Sequence, residues 1–272
     1  MIIDAHTHIY PEKIVKKAIA KLEANSGIPA KVNGLKSGLT ASMKEAGVDY
    51  SVLLPVATSP RQVDSINEEA GQTNASAKET GLLSFGGIHP DTPNYKEVLK
   101  RIQALGLKGI KLHPDYQETF FDDIRYKRIV AAATELGLYI MVHAGEDIGL
   151  PDPIHCRPKQ VREVLAETES DRLILAHMGG WRLWDEVEEQ LAGEKVYFDT
   201  AFSTDSVEAT GMLDKEEFVH LVRAHGADRI VFGTDSPWSG QKENVEWLRQ
   251  TSLTEEEKEK IFAGNMRKIL GI

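Results

Sequence analysis

The feature that most constrains the fold of this chain is a repeat of pattern. Short apolar runs alternate with longer amphipathic stretches from one end to the other. The runs are 2–6, 49–56, 82–89, 107–113, 138–144, 172–177, 195–200 and 229–235. Between and after them, helical periodicity covers 36–46, 60–80, 94–105, 122–136, 158–168, 180–191, 214–225 and 240–250. A last helix is expected over 254–268, opened by a capping box at Thr254 and Glu257 of "TEEE". Most runs are apolar on both faces, as parallel strands covered by helices are. Glycine between helix and strand in "ALGLKGI" and "ELGLYI" fits left-handed helix ends. Eight strand–helix units in 272 residues predict an α/β fold, a (β/α)8 TIM barrel forming one domain over 1–272. A doubly wound open sheet competes, but no glycine-rich phosphate loop follows the first run to support it. The long excursion 11–35 is expected to form a helix and loop covering one side of the barrel mouth.

Charge and cysteine content narrow the partners. A net charge of −10 argues against nucleic acid and anionic lipid, and leaves a small molecule as the expected partner. No apolar run approaches the ~20 residues of a membrane helix. The start lacks the basic-then-apolar pattern of a signal peptide. Cys156 is the only cysteine, which rules out an intrachain disulfide and suits a reducing, cytoplasmic setting.

The histidines are placed unevenly. Of nine in the chain, His6, His8, His89, His113, His143 and His177 fall at the carboxyl ends of predicted strands. Asp235 ends the last run. Catalytic groups of a (β/α)8 barrel sit at that face. His155, His220 and His225 lie elsewhere, and the last two are read as surface or structural. The two-residue period of a strand predicts that Asp4, His6 and His8 of "DAHTH" share one face, with Ile3, Ala5 and Thr7 on the other. Two imidazoles at that spacing can grip one divalent ion, and His143 and Asp235 can complete the ligand set. Two or three histidines with a carboxylate suit Zn2+, Fe2+ or Mn2+, with zinc favoured and a position left for water. A bound ion would make that water a nucleophile near neutral pH. His177, in "LILAHMGG", is then the expected proton-transfer group.

These residues resemble a known family. "DAHTH", "GIKLHP" at 109–114, "MVHAG" at 141–145, "LAHMGG" at 175–180 and "VFGTDSPW" at 231–238 are similar to the amidohydrolase-related (amidohydrolase 2) branch of the amidohydrolase superfamily. That branch includes aminocarboxymuconate-semialdehyde decarboxylase. The resemblance implies a metal-bearing barrel in which His6, His8, His143 and Asp235 hold the ion. It makes His177 the group that polarises or deprotonates the attacking water and Asp235 a proton shuttle. It also raises Lys111 as a carboxylated lysine bridging two metals, although one metal is commoner in this branch. Homodimers are common among such relatives.

The remaining expectations concern neighbours of the ligands. Asp4 is read as a group orienting an imidazole from behind, with a buried aspartate bonded to nearby backbone as the plainer reading. His113 and His89 are expected to touch substrate. Arg157 is read as a clamp for a substrate carboxylate, against a surface ion pair. Trp238 is expected to wall the pocket. Cys156 reads as a loop residue, Glu146 and Asp147 as caps or exposed acids, and Asp199 as a supporting group at best. The leading function is a metal-dependent, amidohydrolase-type hydrolase acting on a C–N or C–O bond. The alternative is a non-oxidative decarboxylase on the same metal frame. A non-catalytic metal-binding protein and a phosphoesterase rank lower.

Overall fold

A computed structural model describes residues 1–150, 152–207 and 209–272. The strands are β1 (Ile3–Thr7), β2 (Tyr50–Leu53), β3 (Leu82–Ser84), β4 (Gly86–Gly87), β5 (Gly109–Leu112), β6 (Tyr139–Val142), β7 (Leu173–Leu175), β8 (Tyr197–Asp199) and β9 (Ile230–Val231). Neighbours pair in parallel, β1-β2-β3 in one ladder and β4 through β9 in the other. β3 and β4 are halves of one course broken at Phe85, whose N–H donates to the Leu53 carbonyl at 3.0 Å. On the far side, Ala5 N–H donates to Phe232 O at 2.8 Å, Asp235 N–H to His6 O at 2.8 Å, and His8 N–H to Ser236 O at 2.6 Å. These bonds join the remaining edges, and the eight expected runs form a TIM barrel.

Two apolar layers follow from strand alternation. Inside the barrel, Ile3, Ala5, Val52, Phe85, Met141, Ile174 and Val231 pack together, closed below by Ala263, Met266, Ile269 and Leu270 of the C-terminal helices. The opposite strand faces, among them Ile110, Leu112, Ile140, Val142, Leu173 and Phe198, pack against the helical shell. The helix Val15–Ser26 lies in the 11–35 excursion and lines the barrel mouth. Among the described residues, no helix is long and apolar enough to cross a membrane.

Three helical expectations need correction. The 60–80 stretch is a 3-10 turn at Pro60–Gln62, then helices Val63–Ala75 and Ala77–Thr80, broken at Ser76. The helix expected from 180 begins only at Trp184, because the preceding "HMGG" runs through left-handed backbone at His177, Met178 and Gly179. The 254–268 helix keeps its capping box but carries a π-helical turn at Lys260–Gly264. There the Ile261 carbonyl accepts from Phe232 N–H at 2.9 Å, which ties the helix to the end of β9 and takes that carbonyl out of the regular ladder.

Candidate metal centre

The site begins with an irregularity in β1. Its pairing with β2 shifts register between Asp4 and Thr7. Ile3 and Ala5 face the barrel interior, so Asp4 faces outward. The bulge then turns His6 inward, as such bulges re-aim side chains. Asp4 and His6 therefore do not share a face, and the strict two-residue period fails here. Asp4 accepts from Thr234 Oγ1 at 2.6 Å, Gln241 Nε2 at 2.8 Å, Thr234 N–H at 3.0 Å and His6 N–H at 3.2 Å. It locks β1 to the 234 turn and to the helix Gln241–Arg249, and touches no imidazole. Burial pushes its carboxyl up to about 6 even with four donors around it.

His6 is oriented by Asp199 instead. Its Nδ1 lies 2.7 Å from Asp199 Oδ2, an acceptor, so Nδ1 carries the proton and Nε2 presents a lone pair. His8 repeats the logic: Nδ1 donates to the Leu54 carbonyl at 3.0 Å. The two Nε2 atoms stand 3.1 Å apart. Asp235 Oδ1 lies 3.1 Å from His8 Nε2 and 3.6 Å from His6 Nε2. Three acceptor atoms thus converge with no donor among them. A divalent ion with bonds of about 2.0–2.2 Å brings its ligand atoms to about 3–3.5 Å from one another, so these residues fit one. Burial also holds His6 well below the ordinary imidazole range, which keeps its lone pair available.

Asp199 links this group to His177. Its Oδ1 accepts from the backbone N–H of His177 at 2.9 Å and of Ala201 at 3.0 Å. His177 donates from Nδ1 to the Ala201 carbonyl at 2.8 Å. Its Nε2 must then accept the His143 Nδ1 proton at 3.0 Å. Burial pushes His177 down to about 4, so the ring is neutral at neutral pH. His177 and Asp235 both have positive φ, 60° and 66°, a strained backbone held by this network. Lys111 projects from β5 into the barrel, 1% exposed, with Nζ 3.4 Å from His6 Nε2. Burial pushes its ammonium down, opposed by the nearby carboxylates Asp199 and Asp235.

His143 lines the same cavity, outside the close His6–His8–Asp235 cluster. With Nδ1 engaged by His177, its Nε2 groups with His113 and Asp147. The His113 and His143 rings stack 4.1 Å apart. Two acids here escaped the sequence reading: Asp115, absent from it, and Asp147, read as a cap or exposed acid. Both are buried, and Asp147 lies four residues beyond His143. The signals were there, since "HPD" and "HAGED" put acids just after strand-end histidines.

Both groups line one cavity of about 850 Å³ at the carboxyl ends of the strands. Trp238, Trp181, Phe202, Ile14 and Leu150 give it apolar walls, and Lys111 and His113 sit at its lining as expected. Two other expectations fail. Arg157 pairs with Glu186 and is not at the cavity, because its backbone starts the helix Pro158–Thr168 and aims the side chain outward along the shell. His89 also stays out: its Nδ1 accepts from Asp91 N–H at 3.1 Å and shapes the turn after β4. Cys156 is a buried free thiol in a loop.

The amidohydrolase family model matches residues 3–272. The chain belongs to the amidohydrolase family. No curated protein sequence matches it. Among solved structures, 5-carboxyvanillate decarboxylase from Novosphingobium aromaticivorans, complexed with manganese and 4-hydroxy-3-methoxy-5-nitrobenzoic acid, is similar at TM-score 0.74 and 14% identity, covering 100% of this chain and 96% of that one. A 2,6-dihydroxybenzoate decarboxylase bound to 2,6-dihydroxybenzoate matches at 0.70 and 16%, covering 100% and 99%. An uncharacterised TIM-barrel protein from Bordetella bronchiseptica matches at 0.73 and 17%, covering 99% and 98%. At these identities the likeness establishes the fold. This amidohydrolase thus carries a His-His-Asp group able to hold a metal, in a family whose chemistry depends on one.

Proposed function

We propose that this amidohydrolase is a metal-dependent, non-oxidative decarboxylase of a small, flat carboxylic acid of the hydroxybenzoate class. The observation that carries this reading is the buried ammonium of Lys111, 3.4 Å from His6 Nε2, beneath an apolar, aromatic-walled cavity. A buried cation beside a metal position favours an anionic head at the floor with an apolar body above it. Two solved proteins of this fold that decarboxylate substituted benzoates were captured with benzoic acids, which supports the same class. Hydrolysis, the leading expectation from sequence, has no comparable support.

His6, His8 and Asp235 would hold the ion, Mn2+ or Zn2+, and the ion would supply a Lewis acid that draws charge off the substrate oxygens. Lys111 offsets the charge of the carboxylate. The aromatic walls keep the ring oriented and exclude water. Asp235 would take the proton of the substrate's ring hydroxyl on its other carboxylate oxygen and pass it to the carbon that bears the carboxylate. The C–C bond then breaks, its electron pair returns to the ring and CO2 departs. Asp199 keeps His6 in the tautomer that ligates, and His177, bonded to His143, fixes the wall between strands.

The test is a paired screen of metal-loaded protein. CO2 evolution is measured against hydroxylated benzoic acids, and acid release against esters, amides and lactones. Metal-dependent CO2 evolution alone is expected. Turnover of esters or lactones with no CO2 from any acid overturns the reading.

A further inference from the structure

One wall of the cavity has no part in the reaction above. The cavity holds about 850 Å³, near the top of the range of about 300–1,000 Å³ for pockets that enclose whole drug-sized ligands, and more than one substituted ring needs. The unused wall is the helix Val15–Ser26. Its rotation is set by one row of side chains. Val15 and Ile19, four residues apart, pack over Gly34, where an added Cβ would lie 3.2 and 3.0 Å from them. The neighbouring row, Ile14, Ala18 and Leu22, is thereby turned to the cavity, with Lys21 beside it.

The loop after β6 meets this helix near its C-terminal end. A Cβ on Gly149 would stand 3.6 Å from Asn25 Cβ, and Ile148 and Leu150 on either side of that glycine line the cavity too. Ile14 is 51% exposed and Leu150 43%, so an apolar strip is left in water at the mouth. The charge beside it runs against that of the whole protein. Residues 11–36 hold six lysines and two glutamates, a local +4 in a chain of net −10. Glu23 is engaged with Ala30 N–H at 2.9 Å. Lys17 and Lys21, one turn apart, are exposed, and neither forms an ion pair among the described residues. Elsewhere the lining carries Glu69 from the helix Val63–Ala75, so an anion is drawn to the lysine side.

We propose that this strip and Lys21 bind the far end of the substrate, an acid whose ring carries an apolar arm ending in a second carboxylate. The inference rests on the decarboxylase reading for the reacting end only, the carboxylate beside Lys111. The arm would cover Ile14, Ala18 and Leu22 and take them out of water. The second carboxylate would meet the Lys21 ammonium, with Lys17 adding to the local potential. Recognition is then divided. The floor of the cavity fixes the end that reacts, and the helix selects for a long, doubly anionic molecule over a bare ring.

The experiment uses the metal-loaded full chain and three probes: a hydroxybenzoic acid, the same acid with a short alkyl arm, and that arm ending in a carboxylate. Calorimetry gives each Kd without need of turnover. The alkyl arm is expected to tighten binding about 10-fold or more. The terminal carboxylate should add about 2- to 5-fold at low salt, a gain that high salt removes. In Lys21→Glu the ratio between the two armed probes should fall to one or below. In Ala18→Trp, which fills the strip, the ratio between the alkyl-armed and bare acids should fall toward one; circular dichroism confirms that both variants are folded. Armed probes that bind wild-type protein no tighter than the bare acid overturn the proposal, and so do ratios unchanged in both variants. A wild-type dimer that Ile14→Glu splits also overturns it, since a second copy would then cover the strip. CO2 from the bare acid with no gain from either arm leaves the reaction standing and removes this inference. A gain from the arms with no CO2 from any probe does the reverse.

Discussion

Asp199→Asn tests the support of the metal group with almost no change of shape. Asp199 uses Oδ1 for two backbone donors, His177 N–H at 2.9 Å and Ala201 N–H at 3.0 Å. Its Oδ2 takes the His6 Nδ1 proton at 2.7 Å. An asparagine must keep its carbonyl on the two backbone donors, because the flipped amide would set its NH2 against both. Its NH2 then points at His6 Nδ1, where two donors would collide. His6 relieves this by moving its proton to Nε2, the atom that should bind the ion. Loss of a carboxylate behind a metal-bound histidine typically weakens metal binding about 10- to 100-fold, or about 1.4–2.7 kcal/mol at 25 °C. The assay is competitive titration of Mn2+ or Zn2+ against a chelator at pH 7, with thermal melting of metal-free protein as a folding control. A folded variant with wild-type metal affinity refutes the assignment of the His6 tautomer and the role given to Asp199.

Three further predictions follow from individual contacts. Lys111→Met removes the buried ammonium and keeps the stem, so KM for the acid should rise about 10- to 100-fold, as for a lost charge-assisted bond of about 1.5–3 kcal/mol; an unchanged KM contradicts a carboxylate held there. Arg157→Ala should leave KM within about twofold, since its guanidinium pairs with Glu186 away from the cavity. His225, whose Nε2 donates to Val196 O at 2.9 Å, is held down to about 4 by burial. Its unfolded value is about 6.5, so as pH falls through 6.5 toward 4 the unfolded chain gains a proton the native one refuses, and stability falls. Urea midpoints of metal-free protein should therefore fall less steeply over that window in His225→Gln, by up to about 3 kcal/mol at its acid end; parallel slopes would contradict this.

Much of this molecule was legible in the sequence because strand and helix periods are different. All eight apolar runs became barrel positions, and the strand-end histidines His6, His8, His113, His143 and His177 all reached the cavity lining with Asp235. What escaped was local geometry that periodicity does not encode. The bulge in β1 separates Asp4 from His6, so the acid behind His6 comes from β8, 193 residues away, as Asp199. His143 was grouped with His6 and His8 by strand-end position and by the family resemblance, but periodicity does not encode the hydrogen bond to His177 that turns its other nitrogen toward Asp115 and Asp147. Arg157 was placed at the mouth by its loop, yet the helix that begins beside it aims the side chain elsewhere.

The central claim is that a proton replaces a carboxylate at carbon. Turnover of metal-loaded protein in D2O, followed by NMR with a hydroxylated benzoic acid, tests it most directly. The account predicts CO2 release and a product carrying one deuterium at the carbon that bore the carboxylate, both abolished by metal removal. A carboxylate left intact while an ester or lactone bond in the same molecule is cleaved, with solvent oxygen in the new acid, would contradict it.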